Sequence, residues 1–226
     1  MRHNHEINKS IIHVLREQKI LPLFYHHNRE RCVTVTAALY AAGIRCVEFT
    51  NRGDAAVTNF NYIMQNRSAL YPDMLIGAGT IQSVTDVDAF VNAGADFLIS
   101  PFFDAALCER ANNLEQVWIP GCMTPTEIHN ASLNGCSVIK LFPGNILENN
   151  FVSAVKPVFP GIEFVVTGGV DIEASSIVQW LQQGVLAAGM GSKFLNKELL
   201  ENGSPEHIIA ITKQMLEEIN SQIKNQ

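Results

Sequence analysis

One arrangement recurs along this chain and limits what it can become: an amphipathic stretch of helical length, a glycine, then a short apolar run. Four copies read AAGIRCVEFT at Gly43, NAGADFLISP at Gly94, LNGCSVIKLFP at Gly135 and QQGVLAAGMG at Gly184. A glycine at that join suits a left-handed residue that ends a helix and turns the chain into a strand. Counting apolar runs gives eight candidate strands, at residues 20–25, 46–50, 74–79, 97–100, 117–120, 138–142, 164–167 and 186–190. Amphipathic segments such as 31–42, 54–70 and 173–183 lie between them. Asp104 and Thr124 stand where helix caps are expected, and Thr124 with Glu127 has the spacing of a capping box.

Short strands alternating with helices imply βαβ units and a parallel sheet buried on both faces. Eight such units at even spacing, without a long crossover, favour closure into a barrel over an open doubly wound sheet. The expected class is therefore α/β, a single (β/α)8 TIM barrel over residues 1–226, with residues 1–19 as an N-terminal helical extension. No linker or low-complexity tract divides the chain. At 47% apolar and 17% charged residues it can bury a sizeable core.

A net charge of −6 offers no basic surface for a nucleic-acid partner. No apolar run approaches the roughly 20 residues of a membrane span, and the first residues lack the apolar core of a signal peptide. The expected setting is the cytoplasm. Five scattered cysteines include no C-x-x-C pair, so free thiols are expected rather than a zinc knuckle or a redox motif.

In such a barrel, function collects at the carboxyl ends of the strands. Reading only those positions selects one lysine, one carboxylate, one arginine and two glycine clusters. Lys140 interrupts Val138-Ile139-Lys140-Leu141-Phe142, where a parallel strand would be apolar throughout. An apolar setting disfavours the ammonium and frees the amine to attack a ketone. The plainer role is a lysine reaching to the rim, or half of an internal ion pair. Glu48 shares one face of its strand with Cys46 and Thr50, so acid and amine would meet at the barrel mouth, where a carboxylate can move protons. Simple neutralisation of Lys140 is its alternative. Arg52 offers a bidentate grip on a substrate carboxylate, or is an exposed loop charge.

Thr167-Gly168-Gly169 follows the seventh strand, and Gly189-Met190-Gly191-Ser192 closes the eighth. Glycines there let backbone N–H groups approach a phosphate, and Ser192 adds a hydroxyl, although a helix cap is its plainer role. His26 and His27 follow the first strand, but a catalytic metal needs more ligands and no other histidine falls at this face. No metal is expected. Cys122 has no paired base and is read as structural.

These residues resemble the 2-keto-3-deoxy-6-phosphogluconate aldolase family, which includes 4-hydroxy-2-oxoglutarate aldolases. The likeness runs from about residue 20 to 194. It passes through VEFTNR at 47–52, GAGT at 77–80, ISP at 99–101, IPG at 119–121, IKLFP at 139–143, TGGV at 167–170 and GMGS at 189–192. The resemblance implies a homotrimer of barrels without metal or organic cofactor. It implies that Lys140 forms a Schiff base with the keto carbon and that Glu48 transfers protons, through a water. Arg52 and Thr80 would hold the pyruvyl carboxylate, and Pro101 and Phe142 would pack on the substrate. Gly168, Gly169, Gly191 and Ser192 would take the phosphate, while Thr167 matches the position bearing on hydroxyl configuration and resembles the gluconate-type enzymes. Phe102 departs from the glycine of many relatives and is expected to narrow the pocket or to shift phosphate access. The loop 121–125 is also less polar than the small-residue versions of relatives.

The implied reaction is cleavage of 2-dehydro-3-deoxy-6-phosphogluconate to pyruvate and glyceraldehyde 3-phosphate. A galactonate-type phosphate or 4-hydroxy-2-oxoglutarate are sister substrates. A phosphosugar isomerase or a barrel that only binds phosphorylated ligands are the more remote readings, against which Lys140 and Glu48 speak.

Overall fold

The structure, a computed structural model, describes residues 2–147 and 150–224. Its strands are β1 (Ile20–Phe24), β2 (Cys46–Thr50), β3 (Leu75–Gly79), β4 (Phe97–Ile99), β5 (Val117–Ile119), β6 (Gly121–Cys122), β7 (Val138–Leu141), β8 (Glu163–Val166) and β9 (Val185–Met190). They pair in parallel in the order β5-β4-β3-β2-β1-β9-β8-β7-β6.

The eight expected strand positions are present, but the fifth is split. Pro120 lies between β5 and β6 and has no N–H to give, so a single ladder cannot run through it. Below it, β5 pairs with β4 through Ile99 and Ile119; above it, β6 pairs with β7 through Gly121 and Lys140. The Lys140 N–H donates to the Pro120 carbonyl at 2.9 Å and carries the ring across the break. The result is a (β/α)8 barrel whose wall changes partners at a proline.

Period-two alternation sorts the strand residues into two cores. Leu21, Cys46, Phe97, Ile99, Val117, Val138 and Val165 fill the barrel interior. Val47, Phe49, Ile139, Leu141, Phe164 and Val166 face the surrounding helices. The N-terminal helix Arg2–Gln18 closes the amino end, with Ile11 and Leu15 packed on the interior set. Gln18 fastens it: its amide donates to the Ile20 and Cys46 carbonyls and accepts from the Arg45 and Cys46 N–H groups.

The four joining glycines all take positive φ, 104°, 92°, 85° and 99° in chain order, a region costly for any residue with a Cβ. Asp104 caps its helix, and Thr124 with Glu127 forms the full capping box. The segment expected as one helix over 54–70 is two, Ala56–Gln65 and Arg67–Leu70. They part at Asn66, whose side chain donates to the Tyr62 carbonyl and competes with the helical pattern. No helix among the described residues is long and apolar enough to cross a membrane.

Candidate active site

The carboxyl ends of β2, β7, β8 and β9 open onto one cleft of about 230 Å³. Three larger hollows among the described residues, of about 310, 520 and 540 Å³, lie elsewhere and have no buried ionisable side chain in their walls. Chemistry rather than volume singles out the smaller cleft, which contains both Glu48 and Lys140. These two are 1% and 5% exposed, a degree of burial that charged side chains rarely reach without a purpose.

Alternation explains how they arrive. Glu48 follows the interior residue Cys46 by two positions, and Lys140 follows Val138 by two, so both point inward at the top of the barrel. Glycine makes the room. An added Cβ at Gly79 would collide with the Glu48 carboxylate, and one at Gly77 with the Phe97 ring, so the inner face of β3 is bare where its neighbours are bulky. An added Cβ at Gly189 would likewise meet the Thr167 side chain.

Glu48 Oε2 and Thr167 Oγ1 are buried without a hydrogen-bond partner. An unpaired buried polar atom is costly unless something completes it, and both of these border the cleft. Lys140 Nζ sits 4.9 Å from the centre of the Phe142 ring, within cation–π range. That ring also backs onto Gly168, where an added Cβ would come within 2.9 Å of it. Phe142 thus forms a wall between the amine and the glycine loop after β8.

The loop after β8 is built on two adjacent glycines in the left-handed region. Gly168 and Gly169 have φ of 96° and 71°, while the Thr167 and Gly168 carbonyls are tied back by the Gly144 and Asn145 N–H groups at 2.7 and 2.8 Å. Gly191 and Ser192 approach from the end of β9. Lys193 stands beside them, its Nζ donating to the Gly169 carbonyl at 3.2 Å and lying 3.9 Å from Asp171.

Of the residues singled out in the sequence, Glu48, Arg52, Lys140, Phe142, Thr167, Gly168, Gly169, Gly191 and Ser192 line the cleft. Thr80 and Pro101 do not. Thr80 follows Gly79 with φ 61°, a strained conformation for a β-branched residue. The Pro101 backbone instead packs against Gly121, where no side chain would fit. Phe102 is 40% exposed and is not among the residues that line the cleft. Leu23, Val170 and Lys193 line the cleft without having been singled out. Lys193 looked like any surface lysine; its adjacency to Ser192 was the available signal. Burial pushes the Cys122 thiol up to about 12, consistent with a structural thiol. The described residues also gather one set of metal-ligating types, His26, His27 and Glu201, and it lies outside the cleft.

The family model for KDPG and KHG aldolase matches residues 11–211. This chain belongs to the KDPG and KHG aldolase family. Such aldolases are lyases. The 2-dehydro-3-deoxy-phosphogluconate aldolase of Treponema pallidum (strain Nichols) is 28% identical over 209 residues, 92% of this chain and 97% of that one. The 2-dehydro-3-deoxy-6-phosphogalactonate aldolase of Escherichia coli (strain K12) is 34% identical over 119 residues, which is 52% of this chain and 57% of that one. Among solved structures, the KDPG aldolase of Legionella pneumophila, with pyruvate captured as a covalent carbinolamine, superposes with a TM-score of 0.81 at 26% identity. It covers 89% of this chain and 96% of its own.

Proposed function

We propose that this aldolase cleaves 2-dehydro-3-deoxy-6-phosphogluconate reversibly to pyruvate and glyceraldehyde 3-phosphate through a Schiff base on Lys140. The observation that carries the reading is the pairing of a buried amine and a buried acid in one cleft with a glycine-built anion loop. Lys140 Nζ attacks the keto carbon, and the carbinolamine loses water to give the imine. Glu48 takes the proton of the C4 hydroxyl, directly or through a water, as the C3–C4 bond breaks and its electrons pass into the imine. The aldehyde product leaves. The enamine is then protonated at C3, and hydrolysis of the imine releases pyruvate and the free lysine.

Arg52 is assigned to the pyruvyl carboxylate; Thr80 and Pro101 do not line the cleft. Thr167 Oγ1, buried and unpaired, is assigned to a hydroxyl of the sugar chain. Gly168, Gly169, Gly191 and Ser192 are assigned to the phosphate, and Phe142 to packing on the substrate. Lys193 joins the phosphate group as the cation at the rim of the cleft. Homotrimeric assembly and a cytoplasmic location belong to the same reading, and light scattering tests the first.

A steady-state assay against the gluconate-type phosphate, the galactonate-type phosphate and 4-hydroxy-2-oxoglutarate tests the substrate. The gluconate-type compound should give the largest kcat/KM. No preference for phosphorylated substrates would transfer the assignment to 4-hydroxy-2-oxoglutarate.

A further inference from the structure

Outside the catalytic cleft, the loop after β1 meets the short helix Lys197–Asn202 that follows β9. There the ligand atoms of His26, His27 and Glu201 lie within 4.8 Å of one another. We propose that this trio binds a divalent transition-metal ion of the zinc type, which clasps the first βα loop to the last βα segment.

The spacing is already close to coordination. His26 Nε2 and Glu201 Oε2 are 3.2 Å apart, near the roughly 3.3 Å edge of a tetrahedron of nitrogen and oxygen ligands at zinc distances. The widest pair has to close by about 1.5 Å, within the reach of two exposed side chains, His27 and Glu201. Two imidazoles and one carboxylate suit zinc, cobalt or nickel rather than calcium or magnesium, which prefer oxygen donors.

The ligands are held from behind. Asn59 donates its side-chain amide to the carbonyls of both His26 and His27, at 2.9 Å each. The Arg31 guanidinium donates to the Leu199, Leu200 and Gly203 carbonyls and fixes the helix that carries Glu201. Supporting contacts of this kind reduce the ordering an ion must impose. The Asn28 N–H donates to His26 Nδ1 at 3.1 Å, which leaves the imidazole proton on Nε2, facing Glu201. A metal at Nε2 requires the proton on Nδ1, which gives up the bond from the Asn28 N–H and turns Nδ1 to the Asn28 carbonyl at 3.4 Å. None of the three residues lines the catalytic cleft, so the ion is structural, joining two segments that lead out of the barrel mouth.

Zinc titration by calorimetry tests this, on the full chain carrying His3→Ala and His5→Ala to remove the other closely spaced histidine pair. One Zn²⁺ should bind per chain, and zinc at about a hundredfold over its Kd should raise Tm by about 5 °C. His27→Ala and Glu201→Gln, both at exposed positions that folding tolerates, should each weaken binding by about tenfold or more and remove the rise in Tm. Absence of binding at about millimolar zinc overturns the proposal, because His26 and Glu201 then form only a hydrogen bond. Binding that persists in the His27→Ala, Glu201→Gln double variant overturns it as well.

Discussion

Gly79 lacks a side chain at the place where Glu48 lodges its carboxylate; β3 is bare because β2 carries the acid. Gly79→Ala should therefore push the carboxylate away from the cleft while the strand stays in register, since the displaced group is the end of a flexible side chain. The expected loss in kcat is about 10²-fold, comparable with Glu48→Gln. Parallel kinetics, with circular dichroism as the folding check, measure it. A Gly79→Ala enzyme with full kcat would mean that the placement of Glu48 is unimportant.

Borohydride should trap pyruvate on Lys140, the amine 5% exposed in an otherwise apolar strand. Intact mass spectrometry should show one pyruvyl adduct per chain, absent in Lys140→Ala. An adduct on any other lysine would overturn the assignment of the nucleophile.

The phosphate assignment is best tested away from Gly168. There φ is 96° and a Cβ would come within 2.9 Å of Phe142, so Gly168→Val would disturb the Phe142 ring together with the glycine loop. Ser192→Ala and Lys193→Gln touch only the rim. Each should raise KM for a phosphorylated substrate by about tenfold, roughly 1.4 kcal/mol, and leave cleavage of 4-hydroxy-2-oxoglutarate nearly unchanged. The Lys193 effect should shrink at high salt, because that side chain is half exposed. Equal loss on both substrates would assign these residues to the barrel frame.

EDTA should leave aldol cleavage unchanged, because the proposed mechanism uses only the acid and amine of the cleft and the histidine–glutamate trio stands outside it. Loss of kcat on chelation, restored by a divalent ion, would place a metal on the catalytic path.

Cys32 and Cys122 should resist iodoacetamide at about pH 8, since burial pushes both thiols up to about 12 and little thiolate forms. Peptide mapping of the folded enzyme checks this. Rapid alkylation of Cys122 with loss of activity would show that the layer between the barrel wall and its helices opens in solution.

Local rules determined much of this protein from the sequence alone. Positive φ at Gly43, Gly94, Gly135 and Gly184, the caps at Asp104 and Thr124, and the inward phase of Glu48 and Lys140 all follow from neighbours a few residues away. Periodicity of two and the join of helix to strand need no knowledge of the rest of the chain. What the tertiary structure decided depends on residues distant in sequence. The break at Pro120 matters only because β4 and β7 stand on either side of it, and the bareness of Gly79 only because Glu48 lies opposite. Thr80 and Pro101 follow strands as the cleft residues do, yet the packing of Pro101 on Gly121 and the turn at Thr80 keep both out of the cleft wall. His26 and His27 looked like two ligands without a third, until the fold carried Glu201 across 175 positions to within 3.2 Å of His26. Such encounters carry no local signature, because chain closure and side-chain packing, not the spacing along the backbone, set the distances.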